Sequence, residues 1–218
     1  MKKIILVYHQ INEDDLFMSA SLEQFIMQME YLKSKKFKFC NLKELLHEQS
    51  GNNVCVMFDD CYSSIKPAVN YMKERQLKYC LAVIPNKLGK KGFLKKEELS
   101  GTLYFHTNNH YNLTLLNDDD LTFELNTDYN YYSKCVVYPM GKYNDKIIEK
   151  VSENYKYGLS LLPFHVGKKS NMLELPRICV NGYLKFFKFK LFVSKLGNIY
   201  LHGAFIKRKI LGQDYLSE

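Results

Sequence analysis

The sequence predicts an α/β protein, a closed parallel barrel of about seven β/α units in a single domain spanning residues 1–218. Short runs of β-forming residues alternate with helical stretches along most of the chain, the signature of parallel strands joined by crossover helices. No Pro/Gly/Ser-rich linker and no internal repeat divides the 218 residues. Polar residues also recur at one kind of place: His9, Asp59, Asp60, Asn86, His106 and the Tyr138-Pro139-Met140-Gly141 turn each follow directly on a predicted strand. In a barrel those strand ends share one face, where the sites of such barrels lie.

Taken in order, Ile4–Tyr8 reads as a short buried strand ending at His9. Ser21 and Gln24 are spaced as a capping box ahead of the apolar stripe Leu22, Phe25, Ile26, Met29 and Leu32. Asn41 and Glu44 repeat the pattern before Leu45 and Leu46. The run from Val54 to Phe58 is a strand buried on both faces, because it is apolar without alternation. A helix over 67–76, strands over 79–84 and 103–105, a helix over 118–125 and a strand over 135–138 follow. Asn144 caps a helix bearing Ile147, Ile148 and Val151, and 157–161 and 177–180 read as further strands. Asn198-Ile199-Tyr200-Leu201 reads as a final barrel strand that would deliver His202 to the same face as Asp59.

Hydrophobic content of 46% with 25% charged residues excludes a disordered chain. The formal charge of +8 favours an anionic partner without choosing among them, and no nucleic-acid-binding motif accompanies it. The N-terminus reaches Tyr8, His9 and Gln10 after too few aliphatic residues for a signal peptide, so the expected compartment is the cytoplasm. Six scattered cysteines without a CxxC pair agree with reduced thiols. From about residue 183 the chain becomes both aromatic and basic. With Lys207, Arg208 and Lys209 it has the composition for peripheral contact with an anionic membrane, although a helix packed on the barrel explains the same residues.

The chemistry is concentrated in few residues. Asp59 and Asp60 end a buried strand, where two like charges in low dielectric raise one pKa unless a cation intervenes. His106 and His110 lie four apart and reach one ion if the loop coils. Two imidazoles and a carboxylate make a three-ligand set with an open position. That suits a catalytic divalent metal, zinc first, with cobalt, nickel or manganese as alternatives.

These residues resemble the motifs of the polysaccharide deacetylases of carbohydrate esterase family four, the NodB-homology group. Val7-Tyr8-His9-Gln10-Ile11 is similar to the opening strand of the subgroup acting on poly-N-acetylglucosamine. Met57-Phe58-Asp59-Asp60-Cys61-Tyr62 resembles TFDDGY, His106-Thr107-Asn108-Asn109-His110 resembles HTxxH, and Tyr138-Pro139-Met140-Gly141 resembles the PYG turn. Leu175-Pro176-Arg177-Ile178 is similar to a less specific late motif.

The resemblance implies a distorted (β/α)7-type barrel and a metal-dependent hydrolase removing acetyl from an N-acetylated sugar in glycan assembly. Asp60, His106 and His110 would hold the ion, Asp59 would be the base, and the Met140 backbone N–H would help stabilise the oxyanion. Leu201-His202 resembles the motif bearing the general acid, with His165 as the alternative. His9, Tyr138 and Arg177 are candidate substrate contacts. Charge and the absent export signal suggest an acetamido sugar on a nucleotide or lipid phosphate carrier. Three departures stand out: Cys61 replaces a glycine, Met140 replaces a tyrosine, and the arginine usual before the PYG turn is missing, so that Arg177 becomes a candidate to orient Asp59. The competing reading is a degenerate barrel that binds a glycan or a partner protein without chemistry.

Overall fold

Every pairing in the main sheet is parallel, and its order, seven strands in one path, runs from the last strand of the chain to the first and then outward. A computed structural model describes residues 1–13 and 17–210. Its strands are β1 (Lys2–Tyr8), β2 (Gln10–Ile11), β3 (Ser19–Ala20), β4 (Phe37–Phe39), β5 (Asn52–Phe58), β6 (Cys80–Val83), β7 (Thr102–Phe105), β8 (Cys135–Val137), β9 (Tyr157–Leu159) and β10 (Ile178–Cys179). The helices are α1 (Leu22–Ser34), α2 (Leu42–His47), α3 (Lys66–Glu74), α4 (Asp118–Leu125), α5 (Asp145–Ser152), α6 (Phe186–Phe192) and α7 (Lys195–Ile210).

The path β10-β1-β5-β6-β7-β8-β9 curls into a distorted barrel. Its two ends are joined by the segment leading into β10: Leu175 pairs with Leu159 of β9, while Ile178 and Cys179 pair with Leu6 and Val7 of β1. The small strand β4 lies beside the first half of β5, where β6 has not yet begun.

The unalternating apolar run of β5 is explained by its two faces. Val54, Val56 and Phe58 pack outward with α1 and α3 residues such as Phe25, Met29 and Met72. Cys55 and Met57 point the other way, into an inner cluster with Ile5, Cys80, Ala82, Tyr104, Val137 and Leu159. Neither face meets water, so polar residues are tolerated only where the strand ends.

The caps form as the sequence indicates. Ser21 accepts the Gln24 N–H at 3.0 Å, and Asn41 and Glu44 close a reciprocal capping box. The short β2, β3 and β4 lacked a sequence signal, being two or three residues long.

One element is corrected. Residues 198–201 are not a strand but part of α7, and the barrel closes at β10 instead. A four-residue apolar run cannot distinguish the two periods. In the structure Gly197 and Leu201 are buried while Ile199 and Tyr200 are exposed, a helical spacing. The register with α6 also demands glycine, since a Cβ at Gly197 would lie 2.0 Å from the Leu191 carbonyl oxygen.

Closure makes a second such demand at Gly158, where a Cβ would meet the Leu173 carbonyl oxygen at 2.4 Å and the Tyr138 hydroxyl at 2.5 Å. Gly158→Ala should therefore destabilise the fold by about 2 kcal/mol or more by overpacking. A denaturant midpoint equal to that of the unaltered protein would show that the β9 seam is looser than described.

Candidate active site

Strand register brings the predicted residues together. Tyr8 pairs with Phe58, so His9 and Asp59 emerge side by side at the ends of β1 and β5, and the Asp59 N–H donates to the Tyr8 carbonyl at 2.8 Å. His106 leaves β7, its N–H bonded to the Val83 carbonyl at 2.8 Å, and the 106–110 loop turns back over the barrel mouth.

That loop does not coil as a helix. Thr107 and His110 adopt left-handed φ of 59° and 65°, and the His110 N–H donates to Thr107 Oγ1 at 3.0 Å. The imidazole rings then stand edge to face with centroids 4.6 Å apart. Two residues that the motif does not include fix the loop. Buried Glu124 of α4 accepts the Asn109 N–H at 2.9 Å, and the Asn86 side chain donates to that of Asn109 at 3.0 Å. The signal for Glu124 was an acid within the buried Leu121/Leu125 stripe of α4.

Asp60 Oδ1 lies 3.5 Å from Nε2 of both His106 and His110. One donor atom from each of the three residues falls within 4.8 Å of the others. The oxygen is buried and accepts no hydrogen bond among the described residues, a costly state unless a cation completes it. Burial lowers the His106 pKa despite the pull of Asp59 and Asp60, and burial, with repulsion between the two rings were both to be protonated, lowers that of His110 to about 4. Both rings are therefore neutral with lone pairs available. The His106 Nδ1 interacts with the Val137 carbonyl at 2.8 Å, which leaves Nε2 facing Asp60. This donor set fits a divalent ion of the zinc type.

Asp59 is differently occupied. Arg177, wholly buried, places Nη1 2.9 Å from both Asp59 oxygens and donates Nε–H to the Ser160 carbonyl at 2.8 Å. Burial favours the protonated carboxyl, but Arg177 above all, with His106 and His9, outweighs it and holds Asp59 below the usual carboxylate range. Arg177 is thus a partner of the Asp59 carboxylate; buried at 1% exposure, it is not a substrate contact.

His9 is partly buried at the same mouth. Burial opposes its charge, yet a side-chain hydrogen bond with Cys179 and the Asp59 and Asp60 carboxylates raise its pKa to about 9. Met140 sits in the turn after β8 with φ 55° and a half-exposed side chain.

Three expectations are corrected. Tyr138 is fully buried; its hydroxyl donates to the Leu173 carbonyl at 2.9 Å and its ring stacks on Tyr143, so it is part of the wall. His202 lies on α7 and stacks on Phe164 at 3.9 Å. His165 bonds the Phe192 carbonyl and, through its N–H, Asn198 Oδ1, while the next residue, Val166, donates to the Lys3 carbonyl at the start of β1. A seven-residue strand, about 20 Å, separates that end from Asp59. Neither histidine is at the mouth.

The chain has known relatives. The profile of the polysaccharide deacetylase family matches residues 47–158, and the chain belongs to that family. It is similar to the poly-β-1,6-N-acetyl-D-glucosamine N-deacetylase of Staphylococcus aureus (strain MSSA476), 28% identical over 197 residues that take in 75% of this chain and 68% of that protein. Among solved structures, the fold matches the Streptococcus pyogenes deacetylase PplD in complex with acetate, with a TM-score of 0.75, 22% identity and coverage of 85% of this chain and 95% of that one. It also matches IcaB from Ammonifex degensii, with a TM-score of 0.72, 16% identity and coverage of 90% and 97%.

A pH dependence follows from His110. Its folded pKa of about 4 lies below the ordinary 6.5, so the unfolded chain takes up the proton first as pH falls. The chelator-treated protein should lose stability between about pH 6.5 and 4, on the order of 3 kcal/mol at most from this group. Thermal unfolding of His110→Asn should be flatter across that range; an identical slope would mean that the ring is solvated in the folded state.

Proposed function

We propose that this chain is a metal-dependent carbohydrate N-deacetylase that hydrolyses the acetamido group of a polymeric N-acetylated sugar. The observation carrying the proposal is the unpartnered, buried Asp60 oxygen 3.5 Å from two imidazole nitrogens, beside a second carboxylate already neutralised by an arginine. Family membership and the S. aureus relative support the reaction class. The relative's polymeric substrate favours a polysaccharide over the nucleotide- or lipid-phosphate-linked sugar suggested by charge.

A divalent ion on Asp60, His106 and His110, zinc before cobalt, nickel or manganese, would supply positive charge that acidifies water and polarises the acetyl carbonyl. The rest falls to the chain. Asp59, kept ionised by Arg177, takes a proton from the attacking water. The Met140 backbone N–H, at the rim of the mouth, is the candidate donor to the oxyanion, a contribution typically of about 3 kcal/mol. His9 replaces His202 and His165 as the proton donor to the departing amine, because strand register places it beside Asp59 at the mouth, whereas His165 and His202 lie elsewhere. Water and amide thus yield acetate and the free amine.

Acetate release should be measured on N-acetylglucosamine oligomers and on a nucleotide-linked acetamido sugar, with metal content determined in parallel. Asp59→Asn should retain the metal and lose kcat about 10²-fold or more. Metal loss in that variant would mean that the two aspartates are assigned in the wrong order. No acetate from any substrate with the ion bound would leave the glycan-binding barrel as the better reading.

The proton donor is separable by leaving group. His9→Gln should slow amide hydrolysis about 10²-fold while sparing an activated acetyl ester, whose leaving group needs no proton, whereas His202→Ala should change neither. A slow amide reaction in His202→Ala would refute the assignment to His9.

A further inference from the structure

Helix α7 carries its apolar residues on the wrong side for a helix that only packs on a barrel. Leu196, Ile199, Ile206 and Ile210 are each more than half exposed, and their spacing places them along one outward stripe, with Tyr200 beside it. The buried positions Gly197 and Leu201 lie on the other face. A row of large apolar side chains facing solvent on a two-faced helix marks an interaction surface.

Charge decides the kind of partner. Between residues 183 and 210 the sequence has seven basic residues and no acidic one. Lys185, Lys188, Lys190, Lys195 and Lys207 are all exposed, while the side chains of Arg208 and Lys209 lie outside the described residues. A second copy brought against this stripe would set like charges against each other. A surface bearing acidic headgroups over an apolar interior matches both features at once. No helix among the described residues is long and apolar enough to cross a membrane. Binding in the plane of the surface is the mode left to such a helix.

We infer that the outward stripe of α7 and the basic residues of α6 and α7 seat this protein on an anionic lipid surface. The seat is remote from the mouth. Lys2 feels the charge of Lys195, and Asn198 holds the His165 N–H, so the start of α7 lies at the foot of β1, opposite the end that carries His9 and Asp59. Docking by this helix therefore leaves the catalytic mouth free for a substrate approaching from solution.

The test is co-sedimentation of the full chain with vesicles of phosphatidylcholine alone or with about one-third phosphatidylglycerol. Binding should be at least about 10-fold stronger to the anionic vesicles and should weaken as salt is raised. Ile199→Glu and Ile206→Glu, both at exposed positions, should reduce it about 10-fold, as should a Lys188→Glu/Lys190→Glu double variant. Leu115→Glu, at an equally exposed apolar position on another part of the surface, should not. Metal content and acetate release from soluble oligomers should remain those of the unaltered protein in every variant. No binding, or equal binding to neutral and anionic vesicles, would overturn the inference. A concentration-dependent dimer in sedimentation velocity that Ile199→Glu dissolves would overturn it in favour of a second copy.

Discussion

The buried ion pair between Arg177 and Asp59 is the constraint from which both closure and chemistry follow. Arg177 enters from the segment that seals the barrel, its N–H bonded to the Leu162 carbonyl and its neighbour Ile178 paired with Leu6. Its side chain reaches the end of β5 on one side and the Ser160 carbonyl, just past β9, on the other. Three strands distant in sequence thus meet at one guanidinium. Burying both charges costs several kcal/mol of desolvation, so the pair adds little net stability. Its consequence is a linkage: removing either partner would strand an unpaired charge in the core, where the closing segment meets the end of β5.

The same pair gives two adjacent carboxylates different roles. Without Arg177, Asp59 and Asp60 would compete for one proton at the mouth of a low-dielectric barrel. With it, Asp59 is ionised and its oxygens are already engaged, while Asp60 turns its own oxygen toward the imidazoles. In the proposed mechanism, environment rather than residue type sets which aspartate serves as base and which as ligand. The neutral histidines complete the arrangement, since burial withholds their protons and Asp60 Oδ1 accepts no hydrogen bond among the described residues.

Local signals made the fold readable and long-range ones did not. The caps at Ser21 and Asn41, the apolar run of β5 and the strand-end placement of Asp59, Asp60 and His106 all follow from period and neighbouring residue type. The Arg177–Asp59 contact spans 118 residues and depends on a closure segment with only a two-residue strand, which no pattern announces. Tyr138 looked like a pocket residue because it follows a strand, but its side chain falls on the wall, against Gly158. His202 was misplaced because Asn198–Leu201 is too short to reveal its period. The place of His9 beside Asp59 became visible only once β1 and β5 were paired in register.

Backbone strain is concentrated where the ligands converge. Nine non-glycine residues among those described have positive φ, and five of them, Asp60, Cys61, Thr107, His110 and Met140, belong to the loops around the mouth. Each costs on the order of 1 kcal/mol or more relative to ordinary backbone. Cys61 shows why the cost is tolerated. At φ 59° it holds a turn of the left-handed kind that glycine favours, and burial of its side chain offsets part of the penalty, with Sγ 3.5 Å from the Ala82 carbonyl oxygen. Its own carbonyl accepts the Leu94 N–H, so the turn is anchored on both sides. A relaxed backbone at 60 and 61 would swing the Asp60 carboxylate away from His106 and His110. The rigid strands of the barrel therefore hold in place a strained rim that would not assume this geometry alone.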